Sequence, residues 1–242
     1  MVPKMARPFD WDAYYGKSQT AGRIEWSRVA LDCLATPASE DARWLIDGLK
    51  DERKWFVAVH FYWAPAIAEV FFQPLMDAGI DECEPSGCRP FITPCSSMFG
   101  VRRTLEYLYD VIESGCDRRK TGALLCIYMA SFPSAGNRRQ ADIEANGKWR
   151  RHIKEREAEL LLRTYLDSSD RLVRFAALRR LPMSLSDYPK HLRPLAAQVI
   201  EAAKLSKDRF TRQYVRHRLT PNPTSFPDTW PSGVECESDE EA

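Results

Sequence analysis

Glycine is scarce in this chain, at 11 of 242 residues, and there are only 4 histidines. So few glycines leave little material for the tight turns of a hairpin-rich protein, and runs that alternate apolar with polar residues are equally rare. An apolar run of membrane length is also missing. The stretch from Trp55 to Ala68 is uncharged for about fourteen residues but is interrupted by His60 and Pro65, whereas a bilayer-spanning helix needs about twenty. The opening residues, MVPKMARPFDWDAYYG, hold no apolar core of the kind a secretory signal requires. The expected compartment is the cytoplasm, with no membrane partner. Phosphate-cradling glycine loops, G-x-S-x-G elbows and H-E-x-x-H are absent too. Their absence weakens the case for an enzyme without excluding one, and neither a catalytic residue nor a cofactor is assigned.

Cysteine is present but unpatterned. Seven residues at irregular spacing suit reduced thiols, some packed as small hydrophobes, better than a disulfide framework. The group Cys83-x4-Cys88-x6-Cys95 lacks the C-x2-C pairs of structural zinc sites and has no histidine within it, so no metal is expected.

Charge is plentiful and unevenly placed. Residues 1–100 carry 10 Lys and Arg against 14 Asp and Glu, residues 101–220 carry 25 against 14, and residues 221–242 carry none against 6. The net charge of +1 therefore conceals a basic middle and an acidic end. A positive stretch attracts nucleic acid or acidic protein, and an acidic segment of the same chain can lie over it.

Apolar residues recur at three- and four-residue spacing in IEWSRVALDCL (24–34), VRRTLEYLYDVIE (101–113), HIKEREAELLLRTYL (152–166) and RPLAAQVIEAAK (193–204), which predicts an all-α fold. Punctuation falls between them. Ser39 is placed to cap a helix from about Glu40, SLSDYP (184–189) reads as a break, and the proline-rich segment at about 80–98 reads as an inserted loop exposing Arg89 and Phe91. WFVAVHFYWAP (55–65) predicts a helix, stopped at Pro65, that is apolar most of the way round and clamped between layers by Trp55 and Trp63. The expected organisation is an N-terminal extension (1–24), a helical body (25–220) and a proline-rich acidic tail (221–242) read as disordered.

The helices also repeat a phrase. LKDERKWFVAVHFY (49–62), YLDSSDRLVRFAALRRL (165–181) and KLSKDRFTRQYVRHRL (204–219) each run from a helix end through a short polar link with Asp into a new apolar-led helix. Asp170 to Asp208 and Leu181 to Leu219 are both 38 residues apart, near the period of about 40 for helix-pair repeats. A fourth segment, SGCDRRKTGALLCIYMA (114–130), follows the phrase more loosely.

In Asp170, Val173, Arg174 and the following Ala176, Ala177 and Leu178, the chain resembles the HEAT-repeat family, and its EPSGCRPFITPCSSMFGVRR (84–103) is similar to a phrase in bacterial HEAT-repeat proteins. The resemblance implies an armadillo-type α-solenoid in which Arg174 and Arg212 open the second helices of their pairs, four residues after Asp170 and Asp208. Helix pairs of this kind cover their apolar faces by stacking and offer a concave wall to partners. The expected function is a non-catalytic protein-interaction or scaffold module.

Its candidate interaction surface is Arg102, Arg103, Arg118, Arg119, Trp149, Arg150, Arg151, Arg174 and Arg212, and Arg209, Arg216 and Arg218 add a further basic cluster. Trp149 beside two arginines suits stacking on bases, which makes nucleic-acid binding the alternative. Helical-repeat DNA glycosylases for alkylated bases are its enzymatic form, with Asp110 and Asp142 as the acidic candidates, and a chromophore- or protein-modifying lyase is a third reading. His60 reads as a core histidine bonded to a neighbouring turn rather than a catalytic base.

Overall fold

The computed structural model describes residues 8–21, 27–82, 84, 86–131 and 140–219, with side chains from 153 onward in the last stretch. The acidic end and Cys83, together with the side chains of Asp142, Trp149, Arg150 and Arg151, lie outside the described residues and side chains. Among the described residues there is no strand, and the fold is all-helical. No described helix is long and apolar enough to cross a membrane.

The chain divides into two compact units, residues 1–111 with 122–146, and residues 112–121 with 147–242. The first unit holds α1 (Trp11–Ala21), α2 (Arg28–Ala35), α3 (Ser39–Gly48), α4 (Lys54–Trp63), α5 (Phe72–Ile80) and α6 (Arg89–Met98). It also takes most of α7 (Val101–Ser114) and α8 (Asp117–Ala130) from Gly122 on. The second unit holds the rest of those two helices, α9 (Gln140–Asp167) from Gly147, α10 (Arg171–Arg180), α11 (Arg193–Lys204) and α12 (Arg209–Leu219).

In the first unit, α6 packs on α5 and α4, and α4 on α2 and α3. Leu34, Leu45, Phe61, Phe71, Leu75 and Ile92 are fully buried between them. The helix α6 corrects the expectation of a loop over 80–98, since only the link before Arg89 is irregular. Pro90 sits in the first turn, where backbone N–H groups have no intrahelical partner, so it ends nothing. Pro94 forfeits one backbone bond but lies on a buried face with Phe91, Ile92 and Cys95, whose burial outweighs the loss. Phe91 is thus core and not a loop contact. Gly100, at φ +95°, then ends the helix in the left-handed conformation that favours glycine.

Two further expectations change. The helix α3 starts at Ser39 itself, preceded by Ala38 with no side-chain cap. In α4, Phe56, Val57, His60 and Phe61 are buried, but Trp55 is 47% and Trp63 61% exposed. The two tryptophans therefore do not clamp layers together. Trp55 touches only the edge of the core, with its ring 5.6 Å from that of Phe91, and Trp63 lies beside Tyr62 at 5.2 Å.

In the second unit, Leu161, Leu162, Val173, Leu178, Val199 and Val215 form the core. The 38-residue echo has a physical counterpart there. The Ser168 hydroxyl accepts from the N–H of Asp170, whose carboxylate caps α10 by accepting from the N–H groups of Leu172 and Val173 at 2.8 Å. In the same way, the Ser206 hydroxyl accepts from the N–H of Asp208, whose carboxylate accepts from the N–H of Thr211 at 2.8 Å. Both caps satisfy N–H groups that the first turn of a helix leaves open.

Candidate functional site

The last helix, RFTRQYVRHRL, splits cleanly by residue type. Thr211, Tyr214 and Val215 are buried, and the Tyr214 hydroxyl donates to the Arg179 carbonyl at 3.2 Å while its ring meets Phe175 at 5.8 Å. That anchoring turns the opposite side outward. Arg209, Arg212 and Arg216, spaced three and four apart, stand on one exposed face. Together with Lys204 from α11, which pairs with Glu201 at 2.6 Å, they line a concavity of about 690 Å³ whose described lining also includes Leu219 and holds no carboxylate.

A second concavity of about 600 Å³ lies over the link from α11 to α12, with Arg171, Arg174, Lys207 and the exposed Leu205 in its wall. Asp208 is the acidic residue in its described lining. Burial pushes the Asp208 carboxyl up, but hydrogen bonds from the Thr211 hydroxyl and N–H and the nearby Arg171 outweigh it and hold the group below its usual range. It is therefore ionised and engaged, with Arg171 Nε at 2.9 Å. Arg212 donates through Nη1 to the Ser206 carbonyl. Arg174 lies 4.6 Å over the Tyr165 ring.

The remaining basic candidates are distributed differently. Arg102 bonds Glu106 at 2.8 Å, one turn along its own helix. Arg103 pairs with Glu69 and lies 4.0 Å over the ring of Phe72. In the second unit, Arg156 meets Glu113, Arg163 meets Glu159, and Arg180 meets Glu157. Exposed pairs of this kind contribute about 0.2–1 kcal/mol each and neutralise their own patch. Arg118 is exposed and Arg119 half-buried at the start of α8, in the second unit. Of the nine candidates, only Arg174 and Arg212 thus line the two described concavities, while Trp149, Arg150 and Arg151 lie outside the described side chains.

The sequence reading passed over Arg171, Lys204 and Lys207. Each lies in or next to a polar link: the packing of α11 against α12 brings Lys204 to the face that Arg209, Arg212 and Arg216 already mark by helical spacing, whereas Arg171 and Lys207 line the second concavity.

The aromatic cluster around His60 has a structural explanation. Tyr14 and Trp11 of α1 occupy the space beside the imidazole, with ring centroids at 5.4 and 6.0 Å, and Phe56 lies at 4.5 Å. The surroundings of this imidazole are thus occupied by the chain's own aromatics. Cys88 and Cys95 are fully buried in and before α6, and burial drives the Cys95 thiol far above its ordinary range, which suits packing rather than reactivity. Among the described residues no group of three or more His, Cys, Asp or Glu converges as a metal site. Asp110 is exposed on α7, whereas the described tryptophans lie on α1, α3 and α4.

Compared with family models, curated proteins and solved structures, the chain finds no match.

Proposed function

We propose that the chain is a non-catalytic protein-interaction module, an armadillo-type α-solenoid of HEAT-like helix pairs, whose α12 face holds an acidic segment of a partner protein. One observation carries the reading: Lys204, Arg209, Arg212 and Arg216 converge on one concavity whose described lining holds four basic residues and no carboxylate. The equivalent Ser-x-Asp caps ahead of α10 and α12, set 38 residues apart, support the repeat architecture.

Protein is favoured over nucleic acid on two grounds. Leu219 in this lining is 42% exposed, Phe210 of α12 is 39% exposed and Leu205, in the wall of the second concavity, is 81% exposed, and an amphipathic acidic segment buries such groups where a phosphate backbone does not. The face is also short. Eleven residues of helix span about 16 Å, too little for the six or more phosphate contacts that give strong duplex affinity.

The test is a fluorescence-anisotropy titration with two probes, a peptide alternating Glu with Leu and Phe and a duplex DNA, at low and physiological salt. It uses a full-length variant in which the six carboxylates of 221–242 are replaced by amides, so that no acidic segment of the chain competes. The peptide is expected to bind, to weaken with salt and to exceed the duplex. A duplex that binds more tightly replaces this reading with nucleic-acid recognition, and no binding of the peptide removes it.

A further inference from the structure

Beyond an external partner, the same face has a candidate occupant in the chain itself. Residues 221–242 carry six carboxylates, Asp228, Glu235, Glu237, Asp239, Glu240 and Glu241, and no Lys or Arg. Interleaved with them are Phe226, Trp230 and Val234. This is the composition that the α12 concavity complements, lined as it is by four basic residues and the exposed Leu219.

We infer that the acidic segment 221–242 docks on the basic face of α12 and competes there with the partner, so that access to the face is regulated by the chain itself. The inference rests on the reading of this face as a site for acidic segments.

Three physical arguments support it. The first is attachment: Leu219, the last described residue, lines the concavity, so the segment starts at the rim of the site it would fill. The second is reach. From Leu219 to Asp228 an extended chain covers about 30 Å, roughly twice the length of α12, so even the first carboxylate can return as far as Arg209. The third is concentration. A short tether holds the segment at an effective concentration on the order of millimolar, which saturates even a site of about 100 μM affinity. A handful of exposed charge pairs and a few apolar contacts suffice for such a site. An external partner must then either bind more tightly than the segment or lower its charge complementarity.

The experiment compares the wild-type chain with the six-amide variant, both full length, using a labelled synthetic peptide of residues 221–242 as the probe. The expected result is about tenfold weaker binding to the wild type, because its own segment holds the face, with both affinities falling at higher salt. Equal affinity for the two chains overturns self-docking but leaves the face as a site for acidic segments. Absence of binding to the six-amide variant overturns both. A second measurement reads the contact directly: carbodiimide coupling of the wild-type chain, which joins amines to carboxylates in contact, followed by mass spectrometry. Links from Lys204 or Lys207 to residues 228–242 are expected in monomer-sized protein and are expected to disappear in an Arg209→Glu/Arg212→Glu/Arg216→Glu variant. Links confined to dimer-sized protein, or unchanged by the triple reversal, overturn the inference.

Discussion

The hydroxyl of Tyr14 stands 3.1 Å from Nε2 of His60, a contact across 46 positions of sequence that ties α1 to the core of the first unit. On the other side of the ring, Nδ1 lies 2.7 Å from the Phe56 carbonyl, which can only accept. Nδ1 therefore carries the proton, Nε2 accepts from Tyr14, and the imidazole is neutral. Burial lowers its proton affinity from the ordinary value of 6.5, and the bond to Phe56 offsets only part of that.

A pH dependence with a definite sign follows. Below about pH 6.5 the unfolded chain binds a proton at this histidine that the folded chain refuses, so His60 contributes stability above pH 6.5 that is lost as the pH falls toward its depressed folded value. Urea unfolding between pH 5 and 7.5 is expected to show midpoints that rise with pH in the wild type. The rise should be smaller in His60→Gln, and identical slopes would show that His60 is not the group responsible.

The exposed and buried aromatics of α4 predict opposite outcomes. Trp63→Ala, at a position 61% exposed, is expected to change stability by no more than about 0.5 kcal/mol. Phe61→Ala, two residues earlier but fully buried against Phe71 at 4.8 Å, is expected to cost about 3–5 kcal/mol. Thermal melts of the two variants check the pair, and a Trp63→Ala chain that melts as early as Phe61→Ala would show that the tryptophan packs after all.

Two helical glycines separate backbone crowding from helix propensity. A Cβ on Gly122 would lie 1.8 Å from the Ile80 carbonyl oxygen, where Cys126 Sγ also donates to the Gly79 carbonyl at 3.3 Å, so α8 approaches α5 backbone to backbone. Gly122→Ala is expected to destabilise by about 1–3 kcal/mol despite the better helix propensity of alanine. Gly16, with open space around it, is the control: Gly16→Ala should stabilise by about 0.5–1 kcal/mol. Chemical denaturation of both variants reads the difference in sign.

Removing the caps tests the repeated phrase. Asp170→Ala is expected to cost about 1 kcal/mol, because Leu172 and Val173 lose their acceptor. Asp208→Ala should cost more, since that carboxylate also takes the Thr211 hydroxyl and Arg171. Equal, negligible losses would mean that the 38-residue echo has no energetic content.

Helix positions were legible because the apolar spacing in 101–113, 152–166 and 193–204 survives into α7, α9 and α11. What misled was punctuation and circumference. Pro90 and Pro94 look like breakers until Pro90 is seen in a first turn and the flanking Phe91, Ile92 and Cys95 are seen to be buried, which depends on α4 and α5. The helix α4 is apolar nearly all round, so no periodicity could say that Phe56 and His60 face inward while Trp55 and Trp63 face out. Its partner α1, carrying Trp11 and Tyr14, made that choice. The site was half legible: Arg209, Arg212 and Arg216 share a helical face by spacing alone, but Lys204 reaches it, and Lys207 and Arg171 reach the second concavity, only through folding.

The most direct test of the docking face is charge reversal there and, as a control, elsewhere, read by anisotropy with the Glu-rich peptide in the six-amide background. Arg209→Glu/Arg212→Glu/Arg216→Glu is expected to weaken the peptide at least tenfold and to gain affinity for a Lys-rich counterpart. Arg102→Glu/Arg163→Glu, which reverses two exposed arginines paired on their own helices, should leave both affinities unchanged. Equal losses in the two variants would contradict the account, because they would show a response to net charge and no particular face.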